Sequence, residues 1–330
     1  MNDLRWRVES PGAQTTVQDL GRDGWRHLGV ARAGALDPAQ AALANRLVGN
    51  PDDAAVLEIA LGGPTLSLPA PARIALCGAE AGMRFEDRSG RTHAIPGGRR
   101  IDLPAGRLRI GTLRNGLRAW LAVAGGIATA PVLGSRSTDL RGGFGGLDGR
   151  ALRAGDDLPI GAHDLQDVIA PDVVAPVFAA HWFALDAQDA HTAPIRYVPS
   201  TLAIAAALAA HAWTVDPRSD RQGLRCAGDA LSTTLPEQVS APVAPGTIQL
   251  PPDGRPIVLL ADAQTVGGYP RLGHVIAADL PRLAQRRPGD PLRFLAIDAA
   301  AARAAMARRR GELARLHWAI DLALGDRPES

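Results

Sequence analysis

The sequence predicts a mainly β protein with a few helices, and three observations lead to this fold class. Glycine and proline recur along nearly the whole chain, with 36 Gly and 26 Pro in 330 residues. The segments between them are short apolar or alternating runs, which are typical of strands joined by many turns. Few segments repeat their apolar residues with the period of a long helix.

Length and a change in composition predict two domains. A chain of 330 residues is long enough for two hydrophobic cores. The segment from Leu158 to Pro199 contains several Pro and Asp and shows little periodicity, so we place the connection within it. We therefore predict a β-rich N-terminal domain over residues 1–175 and a second domain over residues 190–330.

The first half contains three strand candidates and one helix candidate. The strands are "RIALCG" (73–78), "LRIGTL" (108–113) and "RAWLAV" (118–123). Asn115-Gly116 lies between the last two, and because both residues tolerate positive φ, the pair predicts a hairpin turn. The helix is "LDPAQAALANRLVGN", with Asp37 as N-cap, Pro38 at its first position and Gly49-Asn50 as its stop.

The second half alternates short strands with helices. We expect a helix that begins at Ser200 or Thr201, a strand that begins near Trp213, and a C-terminal helix from about Asp298. Between the last two we expect, in order, the strands "GTIQL" and "PIVLLA", the helical segment "DLPRLAQRR" and the strand "PLRFLAI".

Composition excludes several functional classes. The formal net charge is +2, which is too small for a nucleic-acid surface, and no apolar run is long enough to span a membrane. All 36 basic residues are arginine, so the chain has no P-loop lysine, no Schiff-base amine and no biotinyl-lysine. No two histidines are four residues apart, so we expect no metal site. The two distant cysteines, with no secretory signal at the start, indicate the cytoplasm.

The stretch "PIVLLADAQTVGGYPRLGHV" (256–275) is the strongest candidate for a functional site. If the strand continues through it, Asp262 and Gln264 lie on one face, because strand side chains alternate. A buried carboxylate next to a buried carboxamide requires hydrogen-bond partners. The partners are either the backbone of the following turn, in which case the pair is structural, or a ligand.

The chemistry of this pair indicates the class of ligand. A carboxylate only accepts hydrogen bonds, whereas a carboxamide both donates and accepts, so together they complement an N–H beside a C=O, as in a lactam or a urea. Gly267 and Gly268 would let the backbone approach such a ligand, and Tyr269 would line the pocket.

Several segments resemble the biotin-dependent carboxyltransferase-like family. They are the stretch above extended to Phe294, together with "PVAPGTIQLPPDGRP", "RQGLRCAGDAL", "GALDPAQAALANRLVGN", "LAVAGGI" and "VLGSRSTDLRGGFGG". The family includes allophanate hydrolase subunit 2, the carboxyltransferase segment of urea carboxylase and a subunit of bacterial ATP-dependent 5-oxoprolinase. Ala33 stands where the family usually has Ser, and Cys226 stands where it usually has Leu.

The resemblance implies a cyclophilin-like β-barrel in the C-terminal half, joined to the β-rich N-terminal domain. It also implies one component of a 5-oxoprolinase, which opens 5-oxoproline to glutamate together with the A and B subunits of that complex. The B subunit, of similar fold, would be the direct contact. ATP would be consumed by the complex and not be bound by this chain alone, and no biotin would be attached to this chain.

Under this hypothesis Asp262 would accept the ring N–H and Gln264 would donate to the ring carbonyl. Arg221 and Arg225 would bind the substrate carboxylate or a phosphate, because a guanidinium offers a bidentate fork; a solvated turn is the alternative explanation of these two arginines. Two other functions remain open: a carboxyltransferase component that acts on urea with carboxybiotin, and a non-enzymatic partner of a kinase-inhibitor protein.

Overall fold

A computed structural model describes residues 4–163, 175–176, 193–201, 203–231 and 239–324. The chain divides into two compact units. The first comprises Met1–Arg22, Pro38–Leu185 and Ala314–Ser330, and the second comprises Asp23–Asp37 and Asp186–Leu313. The limits of the two domains proposed from the sequence stay a prediction.

The first unit is built around one large sheet. Its strands are β1 (Arg5–Ser10), β2 (Gln14–Gln18), β3 (Val56–Ala60), β4 (Thr65–Leu68), β5 (Ala72–Asp87), β6 (Thr92–Ile95), β7 (Ile101–Leu103), β8 (Gly106–Val123), β9 (Asp157–Pro159) and β10 (Ala175–Pro176). The sheet runs in the order β10-β7-β5-β8-β4-β1-β9, with β2, β3 and β6 paired beside this path. Every pairing between its strands is antiparallel.

One face of this sheet carries the core of the first unit. Strands β5 and β8 alternate buried and exposed residues along much of their length, as expected for a sheet with one solvated face. Trp6, Phe85 and Leu121 belong to the buried set. Trp120 is also buried and donates its indole N–H to Glu58 at 3.0 Å.

The predicted hairpin at Asn115-Gly116 is wrong. Strand β8 runs without interruption from Gly106 to Val123 and pairs with β5 on both sides of this dipeptide. Asn115 has a φ of 53° and Gly116 a φ of 153°, and the register shifts opposite them. The positive φ therefore serves a bulge that bends one long strand, and does not reverse the chain.

The predicted helix near the start of the chain is confirmed as α1 (Pro38–Val48). Gly49 follows it with a φ of 80°, the left-handed conformation that commonly ends a helix. Arg46 donates to both carboxylate oxygens of Asp321, at 3.1 and 3.0 Å. The last turn of α1 is therefore held to the C-terminal segment of the same unit.

The second unit contains shorter elements. They are β11 (Ile195–Pro199), α2 (Ala207–Ala210), β12 (Trp213–Val215), β13 (Gly223–Ala227), β14 (Ala241–Pro242), β15 (Thr247–Gln249), β16 (Ile257–Leu259), β17 (Val266–Gly267), β18 (Arg271–Val275), α3 (Leu280–Ala284), β19 (Pro291–Leu292) and β20 (Phe294–Ala296). The final helix, α4 (Ala299–Leu324), begins one residue after the predicted Asp298. The helix expected at residues 200–213 is a 3-10 turn (Ala203–Ala206) followed by the short α2.

Eight of these strands form a nearly closed barrel. Their order is β19-β12-β13-β16-β15-β18-β11-β20. The two edge strands of this sheet, β19 and β20, are separated in sequence by Arg293 alone, so the sheet curls until its edges nearly meet. The mainly β fold class, with a barrel in the C-terminal half, is thus confirmed.

Both cysteines are free and buried. Among the helices in the described part of the chain, none is long and apolar enough to cross a membrane.

Candidate functional site

The residues around Asp262 do not continue the strand as the sequence predicts. Strand β16 ends at Leu259, and Asp262 lies in a turn in which the Ala263 N–H donates to the Leu260 carbonyl at 3.1 Å. Because the chain turns here, the alternation of a strand no longer applies. The prediction that Asp262 and Gln264 share one strand face is therefore wrong.

Asp262 is held by Arg221 in a buried bidentate ion pair. The Arg221 Nε and Nη2 atoms donate to Oδ2 and Oδ1 of Asp262, both at 2.9 Å. The two side chains are 4% and 2% exposed. Arg221 Nη2 also donates to the Gly34 carbonyl at 2.7 Å. Both carboxylate oxygens of Asp262 thus face a guanidinium, and the substrate role predicted for Asp262 and Arg221 stays a prediction.

The same ion pair fixes a strained segment. Ala33 has a φ of 52° and Gly34 a φ of 90°, and the Ala33 N–H donates to the Ala261 carbonyl at 3.1 Å. A left-handed alanine is unfavourable by itself, so contacts on both sides must impose it. This bond uses only the backbone of Ala33 and needs no side-chain hydroxyl.

Gln264 meets a second carboxamide that sequence reasoning missed. Its Nε2 lies 3.5 Å from Oε1 of Gln249, which is buried on β15. Within the described residues, the Nε2 of Gln249 has no hydrogen-bond partner. A Cβ on Gly267 would lie 2.5 Å from that nitrogen, so glycine is needed there to make room for Gln249. Gln249 and Gln264 therefore form a carboxamide pair, of which the Gln249 amide is enclosed by protein.

The other predicted residues differ in exposure. Arg225 is exposed on β13, and its backbone N–H donates to Ser219 at 3.0 Å. Gly268 is half-buried after β17, and Tyr269 is 45% exposed. Their predicted roles in binding remain predictions.

A shallow cleft of about 660 Å³ lies beside strands β15 and β18 of the second unit. Its lining includes Arg26, Thr247, Arg271 and His274, and none of its lining residues in the described structure is acidic. Two arginines in a cleft without a carboxylate favour an anionic ligand.

Both guanidiniums are anchored to one short segment. Arg26 Nη2 donates to the Val243 carbonyl, and Arg271 Nη1 lies 3.5 Å from the Pro242 carbonyl. Burial, and then repulsion from Arg32, lower the pKa of Arg26 from its ordinary value. The Nη1 atom of Arg26 is buried without a hydrogen-bond partner among the described residues. An anion in the cleft would supply the partner.

His274 adds a neutral donor to this cleft. Burial lowers the pKa of its imidazole below the ordinary value of 6.5, so the ring is uncharged at pH 7. Its Nδ1 lies 3.5 Å from the Thr247 hydroxyl, which itself accepts the Ala244 N–H at 3.1 Å.

Gln249 is buried next to the cleft but does not line it. Thr247 and Gln249 are two residues apart on β15 and so point to one side of the sheet. The register places Gln249 directly opposite Arg271 and Thr247 directly opposite His274. We define the oxyanion cleft as Arg26, Thr247, Arg271 and His274.

Replacement of Gly246 by Ala tests the geometry of His274. Gly246 has a φ of 94°, and an added Cβ would lie 2.8 Å from His274 Nε2. We expect Gly246→Ala to lower the free energy of unfolding by about 2–4 kcal/mol, from backbone strain plus overpacking, and to displace the His274 imidazole signals in NMR spectra.

Gly289→Ala is the matched control, because Gly289 has a φ of 86° and open space around the position of its Cβ. We expect Gly289→Ala to lower the free energy of unfolding by only about 1–2 kcal/mol, from backbone strain without overpacking. Equal losses in the two variants, with unmoved His274 signals, would contradict the geometry.

Within the described residues, no group of three or more His, Cys, Asp or Glu side chains is arranged to hold a metal ion.

Comparison with known proteins shows which proteins this chain resembles. A family model of the carboxyltransferase domain, subdomains A and B, matches residues 28–296. The Escherichia coli K12 protein named as the C subunit of 5-oxoprolinase is 40% identical over 291 residues, which are 88% of this chain and 90% of that protein.

Two solved structures are similar over nearly the whole chain. The crystal structure of TTHA0988 matches with a TM-score of 0.73 and 36% identity, over 90% of this chain and 57% of that chain. The crystal structure of the K. lactis urea amidolyase matches with a TM-score of 0.77 and 26% identity, over 95% of this chain and 20% of that chain. This chain thus spans little more than half of the first protein and a fifth of the second.

Proposed function

The chain belongs to the family of the carboxyltransferase domain, subdomains A and B, and from this premise we propose that it is the C subunit of a 5-oxoprolinase. The complex would open the lactam ring of 5-oxoproline to give glutamate. The similarity to the E. coli protein of that name supports the assignment, since it covers about nine-tenths of both chains.

The oxyanion cleft is the observation that carries this proposal. 5-Oxoproline has a carboxylate next to a lactam, and the cleft combines two arginines with neutral donors. Arg26 and Arg271 would bind the carboxylate, because charge-assisted hydrogen bonds from guanidinium are strong and directional. The hydroxyl of Thr247, which lines the cleft, would donate to the lactam oxygen. Gln264, in contact with Gln249 of β15, would help to position the strand that carries Thr247.

Opening the ring requires activation of a stable amide. ATP supplies this chemistry when it phosphorylates the lactam oxygen, and we propose that the complex, with its A and B subunits, consumes ATP, while this chain alone does not turn the substrate over. The chain contains no lysine to which biotin could be attached. The B subunit is the proposed direct partner, and the cytoplasm is the proposed location.

A carboxyltransferase activity toward urea is the second candidate. The similarity to the K. lactis urea amidolyase favours it, and a carboxylate in transfer is also an anion that two arginines could bind. Urea itself has no carboxylate. In this function Arg26 and Arg271 would therefore bind the carboxyl group of carboxybiotin, the donor, and would not bind urea, the acceptor.

An activity comparison distinguishes these functions. The purified chain is combined with the A and B subunits of its 5-oxoprolinase, and glutamate formation from 5-oxoproline and ATP is measured, with urea and carboxybiotin as the alternative substrates. We expect glutamate from the complex and none from this chain alone. Carboxylation of urea, or no turnover of 5-oxoproline by the complex, would overturn the proposal.

A further inference from the structure

The first unit has a cleft of its own, of about 500 Å³, on the solvent face of its sheet. Met83, Phe85, Leu108 and Ile110 of β5 and β8 are buried in the core. The residues that alternate with them, Arg84, Glu86, Arg107 and Arg109, are exposed and line the cleft. The volume is suitable for a small molecule.

Strand register places four hydrogen-bond donors in one row across this face. Ser10 of β1 lies opposite Thr65 of β4, and Thr65 lies opposite Arg109 of β8. Arg109 in turn lies opposite Arg84 of β5. Residues directly opposite each other share a face, with Cβ atoms about 5 Å apart. We call Ser10, Thr65, Arg109 and Arg84 the donor row.

The next row on the same face contains Arg107 opposite Glu86. It differs from the donor row because carboxylates neutralise its arginine. Arg107 Nε lies 2.6 Å from a Glu9 carboxylate oxygen, and Arg107 Nη1 lies 3.9 Å from one of Glu86. In contrast, neither Arg84 nor Arg109 has a carboxylate within 4.0 Å among the residues that the structure describes.

Two like charges directly opposite each other destabilise a sheet. Among the described residues that line the cleft, Glu86 alone is acidic, and it lies within 4.0 Å of Arg107 but of neither Arg84 nor Arg109, so no ion pair offsets the repulsion in the donor row. We propose that the donor row binds the phosphate group of a small molecule.

Phosphate is favoured over carboxylate by charge and by the number of oxygens. A phosphate dianion neutralises both guanidiniums and offers three or four oxygens, whereas a carboxylate carries one charge and two oxygens, enough for a single bidentate arginine. The hydroxyls of Thr65 and Ser10 extend the same row and would donate to the remaining oxygens.

The end of the cleft is formed by closely packed backbone. A Cβ on Gly12 would lie 2.3 Å from the Gly62 carbonyl oxygen, and one on Gly111 would lie 2.9 Å from the Gly82 carbonyl oxygen. Both glycines line the cleft. The strands can approach this closely only because both of these residues are glycine.

The test measures binding of inorganic phosphate, pyrophosphate, ATP and malonate to the full chain by calorimetry, and the thermal midpoint with and without each compound. We expect a phosphate compound to bind and to raise the midpoint. Arg84→Gln and Arg109→Gln should each weaken binding by about 10-fold or more. Each should also raise the midpoint slightly when no anion is present, because the repulsion is removed.

Arg114→Gln is the matched control, since Arg114 is exposed on the same strand, lies outside the cleft and faces Glu80. It should leave binding unchanged. Binding of inorganic phosphate alone would identify free phosphate as the ligand, and tighter binding of pyrophosphate or ATP would identify a larger phosphorylated molecule. The proposal would be overturned if no compound bound, or if malonate bound more tightly than the phosphate compounds. It would also be overturned if Arg114→Gln weakened binding as much as Arg84→Gln and Arg109→Gln. Because activity is not measured, the result is independent of the 5-oxoprolinase assignment.

Discussion

Replacement of Arg221 by Met is expected to lower the free energy of unfolding by about 3–5 kcal/mol. The substitution leaves the Asp262 carboxylate, of which 2% is exposed, without the guanidinium that faces both of its oxygens. It also removes the bond from Arg221 to the Gly34 carbonyl, beside the left-handed Ala33. Urea unfolding of the full chain, followed by circular dichroism, measures the loss.

A double-mutant cycle separates the ion pair from general disruption. Arg221→Met combined with Asp262→Leu should recover part of the loss, because removal of both charges leaves no buried ion without a partner. Arg225→Met is the matched control, since Arg225 is exposed on the nearby strand β13, and it should change stability by less than about 0.5 kcal/mol. A loss for Arg221→Met as small as that of this control would contradict the assigned ion pair.

Replacement of Arg271 by Gln is expected to lower kcat/KM of the reconstituted complex for 5-oxoproline by about 10- to 100-fold. A charge-assisted hydrogen bond contributes about 1.5–3 kcal/mol, and each 1.4 kcal/mol corresponds to a factor of about ten. The half-buried side chain of Arg271 lines the oxyanion cleft. Initial rates of glutamate formation at varied 5-oxoproline concentrations measure the effect.

Arg293→Gln serves as the control, because it removes the same charge from an exposed position outside the cleft. We expect it to retain the activity of the unsubstituted complex. If Arg271→Gln were equally active, or if both variants lost activity to the same degree, the oxyanion cleft would not hold the substrate.

The sequence predicted the type of most elements but not how the segment around Asn115-Gly116 is used. Asn115-Gly116 carries the torsion angles of a hairpin turn, yet the strand continues because residues on both of its sides pair with β5. The local sequence indicates only that positive φ is tolerated. Whether the chain reverses or forms a bulge depends on pairing with β5, which is distant in sequence. Helix α1 was predictable to the residue because its cap, proline and glycine are all local.

The candidate site shows the same limit. Gln264 was found from its position in a polar stretch after an apolar run, but its partner Gln249 lies on another strand. Arg271 lies within the same quoted stretch and was missed, because an arginine after Gly-Gly-Tyr-Pro gives no local sign of a cleft. Arg26 is far away in sequence and reaches the cleft only through the fold, so no local pattern could identify it.

The central claim is that Arg271 and the oxyanion cleft bind the carboxylate of 5-oxoproline. The most direct test compares the affinity of the reconstituted complex for 5-oxoproline and for 2-pyrrolidinone, the same lactam without the carboxylate, before and after Arg271→Gln. The claim predicts that the variant binds 5-oxoproline about 10- to 100-fold more weakly and 2-pyrrolidinone with unchanged affinity. Equal weakening of both compounds, or of neither, would contradict it.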